Sequence, residues 1–428
     1  MVFGGLLNKL HHHNHGDDGN NQPEGAPPLP PPVATTGYQP GYRSVLYFCN
    51  WAVYARKHFP KDVPVDRVSH ILYAFANITP DTGEIILSDK WSDTDIVLDG
   101  DSWNDPASYL KGCFNQFFNI KKKNRHLKMM LSIGGWTYSS SLAQGASTSE
   151  RRKKFATSAV SLLKELGLDG LDIDWEYPQN EEQAQQYVDL LRELRLELDS
   201  YALQLNLPRD QFELSIAAPA GPEQYQRLKI AEMDQYLTFW NIMCYDYAGS
   251  WSSKTGYQSN LFGGELNSDT ALRYYAGAGV HPSKLVMGMP IYGRAFANTD
   301  GLGHTFQGVG EGSWENGAWD YKVLPLPGMT ENTDKNAVAA WAYDPSKKLL
   351  VTYDNVETTR AKADYIARNG LGGGMWWESS ADLPIDSQKS LVGAFTDFLG
   401  VQNLNHKQNC LHYPDSSHEN IKNYAHPQ

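Results

Sequence analysis

The chain has 428 residues, 41% hydrophobic and 20% charged, a balance that excludes a disordered, collagen-like or coiled-coil protein. Its 49 acidic side chains outnumber 37 basic ones for a net charge of −12, which repels phosphate backbones and argues against nucleic acid as a partner. It has no apolar run long enough to cross a bilayer, so no membrane span is predicted. Aromatics reach 12%, with 12 Trp and 24 Tyr, an excess that fits stacking on flat ligand faces such as sugars, although a large core also consumes rings.

In chain order, residues 1–41 read as a disordered His- and Pro-rich tail. The stretch 1–10 is too short and too glycine-rich for the apolar core of a secretory signal, so the expected location is cytoplasmic or reached by unconventional export, with extracellular as the alternative. His11, His12, His13 and His15 form a low-complexity cluster that would chelate a metal only weakly, and the prolines between 27 and 32 make an extended spacer. Beyond it, short apolar runs at 45–49, 70–76, 128–133, 170–175, 213–218, 239–245, 285–289 and 373–377 end at turn-forming or polar residues. Amphipathic stretches at 150–166 and 181–198 keep apolar positions at three- and four-residue steps. Eight β units alternating with helices predict a parallel (β/α)8 TIM barrel over 42–400. The rival, an open doubly wound sheet, lacks a GxGxxG after the first strand. The last two runs are too far apart for one helix, and 293–354, with strand-like pieces at 339–343 and 349–353, is expected to be a small α+β insertion after strand seven. Residues 401–428 read as a C-terminal tail, either a surface strap or a loose end. Cys49, Cys113, Cys244 and Cys410 form no CxxC pair and are expected to be buried free thiols.

The most informative segment is Asp169-Gly170-Leu171-Asp172-Ile173-Asp174-Trp175-Glu176-Tyr177-Pro178. Strand side chains alternate faces, so Asp172, Asp174 and Glu176 share one face, and Leu171, Ile173 and Trp175 the other. In a parallel barrel the acidic face points inward, where three carboxylates must share protons, gain hydrogen bonds or bind a cation. A metal site would need further oxygen or imidazole ligands from other strand ends, and few suitable histidines lie there. Glu176 is nearest the C-terminal rim, where barrel active sites lie. Its acid neighbours are expected to raise its pKa and keep it protonated near neutrality, as a general acid for a glycosidic oxygen requires. Asp169 lies off the period-two set and is expected to be structural.

The DxxDxDxE spacing of Asp169, Asp172, Asp174 and Glu176 is similar to the signature of the family 18 glycoside hydrolases, the chitinases. Ser132-Ile133-Gly134-Gly135-Trp136 resembles that family's SxGG strand, and Met243-Cys244-Tyr245-Asp246 its MxYD strand. Met289-Pro290-Ile291-Tyr292-Gly293-Arg294 and Gly374-Met375-Trp376-Trp377-Glu378 resemble its last two strand ends. The resemblance is nearest to the fungal chitinases of the bacterial type, and it departs from secreted members in the tail before Tyr42. It implies a retaining hydrolase of β-1,4-linked N-acetylglucosamine in chitin and chitooligosaccharides. The substrate's own acetamido group is then the nucleophile, through an oxazolinium ion. By that resemblance Glu176 is the acid and base, Asp174 orients the acetamido N–H, and Asp172 holds a proton as Asp174 moves. Tyr245, Asp246 and Met243 meet the reacting sugar, Trp377 floors it, Trp136 and Trp51 stack at neighbouring subsites, and Tyr292, Arg294 and Glu315 line the cleft. No cofactor or metal is required, and a monomer is expected. Two further readings share the motif: a non-catalytic chitin-binding lectin, whose relatives lack the terminal glutamate present here as Glu176, and an endo-acting enzyme on N-glycan cores, which the Trp-lined cleft and the insertion disfavour.

Overall fold

The computed structural model describes residues 41–425. The tail expected over 1–41 lies outside the described residues apart from Gly41. In chain order the strands are β1 Arg43–Cys49, β2 His70–Ile78, β3 Lys128–Gly134, β4 Gly170–Asp174, β5 Glu213–Pro219, β6 Phe239–Met243 and β7 Leu285–Pro290. There follow β8 Tyr292–Phe296, β9 Ala318–Asp320, β10 Thr330–Asp334, β11 Ala339–Asp344, β12 Leu349–Tyr353 and finally β13 Gly373–Trp377. Strands β1 to β7 and β13 pair in parallel with their neighbours, and the β13–β1 and β1–β2 pairings close the ring, giving the expected (β/α)8 barrel. The two-residue strand Ile85–Ile86 adds a short antiparallel pairing to β2.

The longer helices are α1 Gly112–Lys123, α2 Ser149–Leu166, α3 Glu181–Gln204, α4 Ser268–Gly277, α5 Val356–Arg368 and α6 Leu391–Leu399. Their starts follow from capping chemistry. Thr148 accepts from the Arg151 N–H ahead of α2, and Asn180 from the Gln183 N–H ahead of α3, where Glu181 and Glu182 also suit the positive end of the helix. Leu171 and Ile173 of β4 join the apolar layer between barrel and helices, together with Leu163, Tyr187 and Leu191. The inner layer mixes apolar side chains (Val45, Tyr47, Leu72, Met130, Phe239, Met375) with buried Ser132, Asp172, Ser215 and Asn241.

Strands β8 to β12 form one antiparallel sheet in the order β9-β8-β12-β11-β10. Between 293 and 354 its described helical structure is the single 3-10 turn Tyr321–Val323, so the α part of the expected α+β insertion is small. The accompanying helix α5 begins beyond it, where the side chain of Asn355 caps the Thr358 N–H.

The chain after α6 is a strap across the N-terminal end of the barrel. Leu404 bridges to Tyr42, the Asn409 side chain donates to the carbonyls of Lys121, Asn124 and Leu127, and the Tyr413 hydroxyl donates to Leu168 O at 2.6 Å. Asp169 is its anchor. One carboxylate oxygen accepts the Cys410 N–H at 2.8 Å, and the other accepts the Met129 N–H at 2.8 Å and faces Lys121 Nζ at 2.8 Å. All four cysteines are free and buried. Asp169→Ala leaves the buried Lys121 ammonium without its counter-charge, and breaking such a pair costs about 3–5 kcal/mol. Denaturant unfolding of the variant is expected to show a loss of that size, and an unchanged midpoint would remove Asp169 from the stability of the strap.

Candidate active site

The acidic strand is built by alternation. Trp175 packs outward, its ring 5.0 Å from that of Tyr187 on α3, while Asp172 and Asp174 point into the barrel. The ladder stops at Asp174, one residue earlier than expected, because the Glu176 N–H leaves it and donates to Ser139 Oγ at 2.9 Å. Glu176 therefore stands half-buried on the turn at the rim.

Asp172 is fully buried, and four donors converge on it. Tyr47 Oη and Ser132 Oγ reach Oδ2 at 2.7 Å, Ser215 Oγ reaches Oδ1 at 2.8 Å and Asn241 Nδ2 at 3.4 Å. Burial pushes its pKa up, and these hydrogen bonds pull against that push. The next carboxyl has no such support. Asp174 Oδ1 lacks a hydrogen-bond partner, and burial followed by the charge of Glu176 raises its pKa well above the usual carboxylate range. A hydrogen bond joins the side chains of Asp174 and Glu176. Glu176 is pushed up to about 7, first by burial and then by the charge of Asp246, while its bond to Asp174 works in the opposite direction. The pKa of Glu176 is raised as expected, but burial is the first cause and the charge that adds to it comes from Asp246 across the site, while Asp174 and Glu176 share a hydrogen bond.

Across the barrel, β6 ends at Met243, where the Cys244 N–H turns back to Ile242 O at 2.8 Å. Tyr245 and Asp246 consequently leave the sheet on the rim. Asp246 takes a left-handed φ of 60°, which a short polar side chain tolerates. Its Oδ1 accepts Tyr292 Oη at 2.5 Å and both Nε and Nη2 of Arg294, at 2.9 and 2.7 Å. Glu315 lies within electrostatic reach of both Tyr292 and Arg294. Tyr245 Oη points to Met375 Sδ at 3.8 Å, and burial raises its pKa. Met243 is buried in the inner layer beside it.

A cluster of rings lies at the ends of β1, β2 and β13. Trp377 stacks on Phe75 at 5.6 Å and 17°, with Tyr47 at 5.2 Å and Trp51 at 6.3 Å. Trp136 stands half-buried on the turn after β3, outside the rings packed on this cluster. The preceding glycines bring β3 close to the site: a Cβ on Gly134 would fall 2.3 Å from Asp174 O, and one on Gly135 2.6 Å from the Phe75 ring. Sequence reasoning missed Tyr47, Phe75, Ser139, Ser132, Ser215 and Asn241, and also Tyr177, which shares a hydrogen bond with Glu176. Ser132 and Ser215 sit level with Asp172 on the two flanking strands, and that register was the signal lacking in the chain. Among the described residues no group of three or more His, Cys, Asp or Glu side chains is arranged to hold a metal ion, and no helix is long and apolar enough to cross a membrane.

The model of the glycosyl hydrolases family 18 matches residues 43–382. The chain is 45% identical over 389 residues to Chitinase 1 of Aphanocladium album, covering 89% of this chain and 90% of that one. It is 38% identical over 395 residues to the sporulation-specific chitinase 2 of Saccharomyces cerevisiae, covering 83% and 77%. Among solved structures, the catalytic domain of the psychrophilic chitinase B from Arthrobacter TAD20 matches with a TM-score of 0.77 at 31% identity, over 85% of this chain and 96% of that one.

The elevated pKa of Glu176 makes a prediction that involves no substrate. From about 4.5 to about 7 the folded protein holds this proton more tightly than the unfolded chain, so the contribution of Glu176 to stability falls as pH rises through that window. Glu176→Gln cannot ionise. Its melting temperature relative to the parent is expected to climb as pH goes from about 5 to about 8. Thermal melts across that range check it, and a pH-independent difference contradicts it.

Proposed function

The chain belongs to glycosyl hydrolase family 18, and from its site we propose that it is a chitinase, cleaving β-1,4 links between N-acetylglucosamine units with retention of configuration by substrate-assisted catalysis. The observation that carries this reading is the hydrogen-bonded Asp174–Glu176 pair at the barrel rim, which holds a proton at neutral pH. Glu176, with a pKa of about 7, suits an acid that must donate near neutrality and accept later. No second rim carboxylate is assigned as nucleophile, so the substrate's acetamido oxygen takes that part. A group already tethered to the sugar has an effective concentration far above any free nucleophile.

In the proposed cycle both carboxyls of the pair are protonated at the start; Asp174 turns from Glu176 to accept the acetamido N–H, passing its proton to Asp172, while Glu176 keeps its own. Glu176 protonates the glycosidic oxygen as the acetamido oxygen bonds to C1 and the C1–O bond breaks. Asp174 stabilises the resulting oxazolinium ion. Water, deprotonated by Glu176, then opens it from the side the leaving group vacated. Tyr245 donates its hydroxyl to the acetamido oxygen. Met243 and the Trp377 floor hold the sugar, and Asp246, fixed by Tyr292 and Arg294, binds it on the other side. Trp51 and Trp136 serve adjoining sugars, and Glu315 borders the cleft. This chemistry calls for no cofactor.

Glu176→Gln is expected to lower kcat on chitotetraose by about a thousandfold or more while the oligosaccharide still binds, read by turnover and calorimetry. Near wild-type turnover would mean that another group is the acid. The parent's kcat/KM is expected to fall as pH rises above about 7, as Glu176 ionises. NMR of the first product is expected to show the β-anomer, and an α-anomer would overturn retention.

A further inference from the structure

Trp314 has no part in the reaction described above, yet two interactions fix its ring. It lies on the loop between β8 and β9 of the insertion and is 45% exposed. Its indole Nε1 donates to Asp320 Oδ2 at 2.9 Å, and the Asp320 N–H is in turn held by Ser313 Oγ at 2.9 Å. The guanidinium carbon of Arg56 lies 5.3 Å from the Trp314 ring centroid. One edge is pinned and one face is covered, so the exposed area is the opposite face and rim.

Arg56 links this ring to the cleft. It stands on the turn after β1, the same turn that carries Trp51. Its charge acts on Glu378, the buried residue that directly follows Trp377, and its Nη1 is buried without a hydrogen-bond partner. Two neighbouring contacts tie the same three segments together. Lys322 Nζ of the insertion donates to Ser380 O at 2.8 Å, and His58 Nε2 of the β1 turn lies 2.8 Å from Ser379 Oγ. The wall residue Trp314 and Glu378, the residue after the floor Trp377, thus share one guanidinium. On the other side of Trp314, Glu315 reaches electrostatically to Arg294 and Tyr292, which hold Asp246.

We propose that Trp314 is a sugar-stacking platform on the insertion wall, taking a pyranose ring of the polymer beyond the one over Trp377, and that Arg56 is the positioning residue that holds it. A pyranose presents a flat C–H face that packs on an indole face. A ring already locked by Asp320 and Arg56 contributes that contact without the rotamer entropy a mobile side chain would lose on binding. The proposal rests on the chitinase reading and extends it to chain length: Trp314 selects long chitooligosaccharides over short ones.

The test compares kcat/KM on chitohexaose with that on a fluorogenic chitobioside. Trp314→Ala is expected to lower the hexaose-to-bioside ratio by about five- to tenfold through KM on the hexamer, and Trp314→Phe, which keeps a flat face, to restore most of it. Arg56→Gln is expected to move the ratio in the same direction, and Arg56→Lys, which keeps a cation beside the ring, to move it less. Melting temperatures within a few degrees of the parent accompany the expected result. A ratio unchanged in Trp314→Ala, with the parent active on both substrates, overturns the platform alone. A parent inactive on both overturns the chitinase reading and the platform with it.

Discussion

Placing carboxylates in the interior of a barrel is the constraint around which the rest of the molecule is arranged. Each buried carboxylate loses its water and must be given donors, a counter-charge or a proton. The three acids at the centre of this chain meet that demand differently. Asp172 receives four donors from β1, β3, β5 and β6. Asp174 has an oxygen with no hydrogen-bond partner and keeps a proton instead, in a bond to Glu176. Asp169, just before the same strand at the opposite end of the barrel, is matched by Lys121 and two backbone N–H groups. Only the Asp174–Glu176 pair is left electrostatically unsettled, and that instability is what a proton-transferring site uses.

The same comparison separates structural from chemical polarity elsewhere in the barrel. His70 and Glu213 meet 3.0 Å apart in the interior; burial pushes the imidazole down to about 4, so the ring is neutral near pH 7 and hydrogen-bonds Glu213, whose charge is met by Lys407 and Arg43. Glu213 has Lys407 as an answering charge, and its hydrogen bond to His70 braces β2 against β5 below the acidic rung. At the rim, by contrast, Asp246 is fixed by Tyr292 and Arg294 while its own charge raises Glu176. The insertion contributes to this edge from β8, and through Arg56 and Lys322 it is joined to the turns after β1 and β13. The wall and the floor of the groove are therefore tied together.

Much of this arrangement was legible in the chain because it depends on period. Strand alternation put Asp172 and Asp174 on one face and Leu171, Ile173 and Trp175 on the other, and apolar positions at three- and four-residue steps marked the helices α2 and α3. Alternation also put Glu176 on that strand face, whereas the strand ends at Asp174 and Glu176 is placed by Ser139 on a turn. The insertion was visible as an excess of chain between two strands, but its sheet order was not, since β8 pairs with β12 and β9 across long loops. The terminal segment, polar and without period, gave no hint that Asn409, Cys410 and Tyr413 hold the base of the barrel.

Residue order alone was enough for the count of β units, the facing of the acidic strand and the types of group able to move a proton, because these follow from local geometry and composition. It could not state which strands lie level with one another, so the donors that surround Asp172 stayed hidden although Ser132, Ser215 and Asn241 were in plain view. Nor could it say which neighbour raises Glu176. That depends on through-space distance and on water removed by folding, and both come into being only when β4 and β6 are brought to the same rim.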